Sequence, residues 1–495
     1  MADTIIPGPT RNDTDISEVV SAKYIWAILA LAIAARVLVL LANLYWDIPP
    51  YWQPVPRSAL ALAWSDFGAI PLGVDFTEKF RMTIEEALIL WSINDRGVVY
   101  LFILVHKLFG PVFYIHIQTL NLLIDALMVL PVISIARQVA GAGAAIAAGI
   151  AYALFLPEIQ VAAAPDYNAW LSYSLIVMTW IVIKISTSSY GFSNGPLWML
   201  VGGLTLANIV ANECRSISIL FAVGAAGWLA FVSVIENRSL ALPARRWQQI
   251  SALLLAGGMT LLAAAEANYL VRGEFSPVRS SFGHSFWSGI GQFSNPYGII
   301  EDDGVVAAFY ERETGKTDFG HTGGVEYNAW LTKRAIEFIS EHPGLYASMV
   351  VRRALRIIFP NMAFTAVADL PGFTQLPDQK KLIERRKALV AENGWASWNT
   401  LSELALINPG YILSLLFRVS LLLALPMGIF AALVMAPSKP RALMACLPLA
   451  YIVITLSGYY VTPVVVTTAH SATLPVAIAG WFLILNRLTR RIRGY

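Results

Sequence analysis

The residues of this chain best placed to do chemistry are ionisable side chains at the edges of long apolar runs. Asp47 falls just past the end of the first such run, and a carboxylate there can take a proton from a hydroxyl within hydrogen-bond reach. Asp66 and Asp75 follow in the same stretch as alternates. Asp166 opens a later apolar run, where it can hold an acceptor or, together with Glu158, a divalent cation. Arg96 precedes another run, and its guanidinium suits bidentate phosphate binding. Arg272, Arg279 and His284 cluster after a further run, and His470 is expected to cap the last one. Cations so placed can stabilise charge building on a departing anion.

Each of these residues also has a structural reading. Asp47 can cap a following helix or be solvated at the interface. Asp166 can N-cap a helix over Tyr167–Lys184. Arg96 can pair with Asp95 or extend to the interface. Glu213 and Arg215 read as a local ion pair of little worth if exposed, with a functional role for Arg215 as the alternative.

The elements that must position these groups are membrane helices. The 495 residues are 57% hydrophobic and 14% charged, against about 45–50% and about 25% in ordinary globular domains. Mean hydropathy is +0.61. A net charge of +3, with no basic block interleaved with aromatics, argues against a nucleic-acid partner. No Cys/His spacing suits structural zinc, and the two cysteines, Cys214 and Cys446, are expected near opposite faces, too far apart to pair. Met1–Lys23 is acidic and lacks a basic n-region, so the run that follows is expected to remain as a membrane helix.

A hydrocarbon core of ~30 Å takes about 20 apolar residues. Ten spans are predicted, over 24–44, 112–136, 141–157, 168–184, 195–212, 216–235, 248–271, 409–435, 442–460 and 467–486. Lysines and arginines of the short loops gather on one face, and the other collects only Arg215. The basic face is therefore expected to be cytoplasmic, with both termini inside. Two long segments, 45–111 and 272–408, then fall outside with nearly all the acidic residues. Within them, 97–109 and 343–360 read as interfacial helices, with Arg352, Arg353 and Arg356 extending to headgroups.

The expected fold class is thus an all-α polytopic membrane protein of about ten transmembrane helices, with two large outer-face segments containing interfacial helices. It divides into a cytoplasmic tail (1–23), an N-terminal transmembrane module (24–271) with its first outer loop 45–111, an outer-face segment (272–408), and C-terminal helices with a basic tail (409–495). Arg36, Asp125, Glu266 and Arg418 lie inside spans, where charge is costly and by default points to function; each can equally be a neutralised or paired packing group, and all four stand outside the site.

Four local patterns, in order along almost the whole chain, carry a resemblance. They are WDIPPYW…SALALAW; DRGVVYLFILVHKLFG…ISIARQVAG; LFLPEIQVAAAPDYNAW; and GEFSPVRSSFGHSFWSGIG followed by AIEFISEHPGLY. Together they resemble bacterial relatives of the protein O-mannosyltransferases and the lipid A aminoarabinose transferases, in the GT-C class of membrane glycosyltransferases. The chain departs from the pattern where Asp47 is followed by Ile48, where Asp95, Arg96 and Gly97 replace a Lys-Pro-Pro, and where His470 stands in place of an Arg-Tyr.

The resemblance implies a GT-C-like fold and a polyprenyl-phosphate sugar donor reached from the membrane. The acceptor would be a cell-envelope glycan, lipid or protein on the periplasmic side of a bacterial inner membrane. It implies Asp47 as general base and Asp166 as the second acidic position. Arg96 falls where the family has a basic residue, and the donor phosphate would be met by Arg96 with Arg272, Arg279, His284 and His470. Two rival readings stay open. A transporter or flippase of lipid-linked sugars would align charges along a mid-membrane cavity and show repeat symmetry, and no internal repeat is evident. A non-catalytic envelope assembly subunit would use 272–408 for docking.

Overall fold

The computed structural model describes residues 20–45, 113–163, 168–188, 195–237, 242–272, 275–277, 282–316, 325–359, 398–407 and 409–492, with isolated residues in 101–109 and 385–392. Regular structure among them is helical throughout. The first part comprises α1 (Ala22–Tyr45), α2 (Phe113–Leu127), α3 (Val129–Ala153), α4 (Leu156–Ala163), α5 (Asn168–Thr187), α6 (Gly195–Cys214), α7 (Phe221–Asn237) and α8 (Ala244–Arg272). Four shorter helices follow, α9 (Phe282–Ile290), α10 (Asp303–Thr314), α11 (Val325–Glu341) and α12 (Pro343–Ile358). The chain then runs through α13 (Trp398–Ile407), α14 (Pro409–Met435), α15 (Lys439–Ala445), α16 (Leu447–Ser457) and α17 (Pro463–Ile492).

In α1, AKYIWAILALAIAARVLVLLANLY is apolar nearly all round, as a helix in lipid must be, and its Arg36 is turned inward and buried. Six described segments are long and apolar enough to cross a membrane: Ala22–Leu41, Ile115–Ala153, Asn168–Thr187, Gly195–Cys214, Ala244–Leu270 and Val465–Ile492. A seventh arises if α15 and α16, bent by 46°, make one span. The chain is an all-α, multi-pass membrane protein.

Among the described residues the predicted count of ten is not reached by length and apolarity. Two predicted spans, 112–136 and 141–157, fall on the single stretch Ile115–Ala153. It is broken at Ala140 and Gly141, where φ of 85° at Gly141 is a conformation glycine adopts without steric cost. The span expected over 216–235 loses its start to a 3₁₀ turn at Ser216–Ser218, and the apolar part of α7 is left short, Phe221–Glu236. That expected over 442–460 bends around Cys446, just before Pro448, which has no N–H to continue the helical ladder.

At the centre of the bundle, α17 packs against α14, α3 and α5. A Cβ at Gly480 would overlap the Gly428 carbonyl of α14, and one at Gly428 would overlap the Ala477 carbonyl. Without a hydrophobic drive between helices in lipid, such close backbone approach is what makes the contact strong. Both cysteines are free and buried.

A second apolar core, separate from that of the bundle, is built by α9 to α12 around Trp287, Ile290, Val306, Tyr310, Tyr327, Leu331 and Phe338. Its attachment corrects one expectation. Arg353 does not extend to headgroups but is buried, because α12 packs on the end of α16. Its Nη1 donates to the Ser457 carbonyl at 3.0 Å, Nη2 donates to the Gly289 carbonyl, and Nε donates to Gln292 Oε1 at 3.2 Å. Carbonyls at a helix C-terminus have no partner within the helix and favour a cation. Arg352 and Arg356 stay exposed, Arg356 with its guanidinium 4.3 Å from the Phe293 ring centre.

Candidate functional site

Of the residues singled out above, Asp47, Asp66, Asp75, Arg96, Asp166 and Arg279 lie outside the described residues. Arg272 ends α8, and only its backbone is described. His284 and His470 are described, and the fold places them on different elements.

His284 lies in the first turn of α9 and is buried. Its Nδ1 is 2.9 Å from the Tyr327 hydroxyl, its Nε2 is 2.9 Å from Asp303 Oδ1, and its backbone N–H donates to Asn328 Oδ1 at 2.9 Å. The imidazole therefore joins α9, α10 and α11. Burial, reinforced by the Asp303 carboxylate, holds the Tyr327 phenol above its ordinary value, so Tyr327 keeps its proton for this network.

His470 was expected to cap the last helix. Because α17 begins at Pro463, His470 sits about two turns inside it and is fully buried. Its Nε2 donates to the Ile357 carbonyl at 2.6 Å, tying α17 to the end of α12, while Nδ1 has no hydrogen-bond partner. The adjacent Ser471 hydroxyl donates to Glu158 Oε2 from α4.

Deeper in the bundle lies a network that sequence reasoning set aside as packing. Arg36 donates from Nε and Nη2 to Asp125 Oδ2 at 2.9 and 2.7 Å, and from Nη1 to the Ala153 carbonyl at 2.5 Å. The Tyr152 hydroxyl donates to Asp125 Oδ1 at 2.6 Å. Arg36, Asp125 and Tyr152 are all buried. The Arg36–Asp125 bonds span 89 positions of sequence, and the network locks α1, α2 and α3 together.

At the rim of the bundle the structure gathers a different set. Arg215 follows α6, part-buried, with Nη1 donating to Asn168 Oδ1 at 2.5 Å and Nη2 to Thr462 Oγ1 at 3.5 Å. Asn168 opens α5 immediately after residues 164–167, and Thr462 immediately precedes α17. Three chain junctions thus meet at one guanidinium. Beside them the Tyr460 hydroxyl donates to Glu301 Oε1; burial, with help from Glu301, pushes that phenol above its ordinary value. The Tyr459 ring stacks on Phe282 with centres 5.1 Å apart, and Gln292 Nε2 donates to the Val461 carbonyl at 2.7 Å. This rim joins the bundle to the α9–α12 layer and offers a cation, hydroxyls and a carboxylate at a place water can reach. Its sequence signal was legible, since Arg215 is the sole basic residue in the short loops expected on that face. Its long-range partners were not. Among the described residues no group of three or more His, Cys, Asp or Glu could hold a metal ion.

No family model matches the chain, and no curated protein matches it. Among solved structures it is similar to the archaeal oligosaccharyltransferase AglB from Archaeoglobus fulgidus, in complex with an inhibitory peptide and a dolichol-phosphate. The TM-score is 0.43 and the identity 13%, over 96% of this chain and 53% of that one. This chain therefore spans about half the length of that protein. Similarity this distant leaves the chemistry to be argued from the chain's own residues.

Proposed function

We propose that this protein is an integral membrane glycosyltransferase of GT-C type. It would transfer a sugar from a polyprenyl-phosphate donor to a cell-envelope glycan, lipid or protein on the periplasmic face of a bacterial inner membrane. The observation that carries the reading is the Arg215 junction, where a part-buried guanidinium is held by Asn168 and Thr462 on the face that has no other short-loop cation. In this reading a lipid-linked phosphate comes to the junction along the membrane helices.

In this reading the acceptor hydroxyl oxygen attacks the anomeric carbon, and its proton passes to the Asp47 carboxylate. The bond from that carbon to the phosphate oxygen breaks, and the electron pair stays on the lipid phosphate. Arg215 and Arg96, with Arg272 and Arg279, stabilise the charge that develops there. Asp166, two positions before Asn168 in the sequence, is the second carboxylate and orients the acceptor. His284 and His470 serve the donor site by fixing α9 and α17 around it. The apolar faces of the spans hold the polyprenyl tail.

The test is purified protein supplied with a labelled polyprenyl-phosphate sugar and an envelope acceptor. Free polyprenyl phosphate should accumulate, and Asp47→Asn should abolish its release while membrane insertion and yield are kept. Absence of release by the wild type speaks for a transporter or an assembly subunit, and wild-type turnover by the variant removes the proposed base.

A further inference from the structure

At the opposite, basic end of the bundle is a cleft of about 440 Å³ that the reading above does not use. It opens among the ends of α5, α7, α8 and α15, and its walls include Arg245, Arg246, Arg441, Ser438 and Glu236. Three guanidinium groups face one carboxylate, so two positive charges are left over.

The three arginines are not equivalent. Arg245 donates from Nε to the Ser188 carbonyl at 2.9 Å and from Nη2 to the Thr187 carbonyl at 3.3 Å. Arg246 donates from Nη1 to the Ser186 carbonyl at 2.7 Å and to Gln249 Oε1 at 2.8 Å, and its Nη2 reaches Glu236 Oε2 at 3.1 Å. These two satisfy the end of α5, whose last carbonyls have no helical partner. Arg441 has no such task. Among the described residues it makes no hydrogen bond or ion pair, although it is part-buried in the wall. The Ser438 side chain, at the start of α15, makes no capping hydrogen bond either.

The remaining wall is apolar. Leu229, Val232 and Met444 line it, and Phe231, Ile235 and Trp247 are exposed on the two helices alongside. A soluble anion would gain nothing from that half of the cleft. A phosphodiester with acyl chains attached would use both halves.

We infer that this cleft binds the headgroup of an anionic glycerophospholipid, with Arg441 and Ser438 donating to the phosphodiester oxygens. Basic pockets between helix ends at the cytoplasmic surface are suited to such lipids. The site stands apart from the proposed transfer chemistry, and its test needs no catalytic activity.

The experiment is native mass spectrometry and thermal melting of the full chain, with phosphatidylglycerol, phosphatidylcholine or inorganic phosphate added to the detergent-purified protein. Phosphatidylglycerol should be retained and should raise the melting temperature, while phosphatidylcholine and inorganic phosphate should do neither. Arg441→Ala should weaken phosphatidylglycerol retention by about tenfold, the loss expected for one charge-assisted contact. Arg441→Lys should recover part of it, and Arg490→Ala, on the exposed end of α17, should leave it unchanged. Equal stabilisation by inorganic phosphate would reassign the cleft to a soluble anion and overturn the lipid reading. Equal losses in the Arg441 and Arg490 variants would reduce the effect to the general charge of that end, which also overturns it.

Discussion

Arg36 and Arg215 are both held by oxygen atoms of distant helices, yet they lie in different surroundings. Arg36 is sealed inside the bundle, its donors taken up by Asp125 and the Ala153 carbonyl. Arg215 stands at the rim, steadied by an amide oxygen and a hydroxyl and still partly accessible. A buried ion pair in lipid has no water to fall back on, so removing either partner strands the other. A guanidinium at an accessible rim is instead within reach of a substrate that comes to it. The comparison therefore separates a charge that holds the fold from a charge the chemistry can use.

The largest effect should fall on the proposed chemistry. Asp47→Asn is expected to lower transfer by about 10²–10⁴-fold, the range for a lost general base, with an unchanged melting curve; an equal fall in stability would move Asp47 into the holding class. Next, Asp125→Ala should destabilise the bundle by about 3–5 kcal/mol, read as a lowered melting temperature in detergent. Retained stability would show that Arg36 finds other partners and would weaken the contrast.

Arg96→Ala should raise the apparent donor KM tenfold or more, a loss of about 1.4 kcal/mol. An unchanged KM would leave the phosphate to Arg215 and its neighbours. On the side of the fold, Gly480→Ala should cost about 1–3 kcal/mol of stability through overpacking against Gly428, with activity per folded molecule preserved.

Much of this arrangement was legible in the sequence, for physical reasons that also mark where reading stops. Hydropathy located the helices, because lipid demands apolar surface over a fixed length. It placed a boundary between 112–136 and 141–157, and the helix breaks there, at Ala140 and Gly141, although by length and apolarity Ile115–Ala153 counts as one stretch. Amphipathicity identified α12, and treating all its arginines alike failed at Arg353, whose environment is set by α16 more than 100 positions later. His470 was expected at a helix end because the start of α17 at Pro463 was placed too late. That Arg36 and Asp125, set outside the site, pair with each other depends on helix rotation, which composition does not reveal.

The account stands or falls most directly on Arg215→Ala, assayed for donor turnover and thermal melting in the same preparation. At least a tenfold fall in kcat/KM for the polyprenyl-phosphate sugar, with melting within about 1 kcal/mol of wild type, is the predicted result, since a partly accessible cation at the rim contributes less to folding than a sealed one. Unchanged turnover, or a loss accounted for entirely by unfolding, would contradict it.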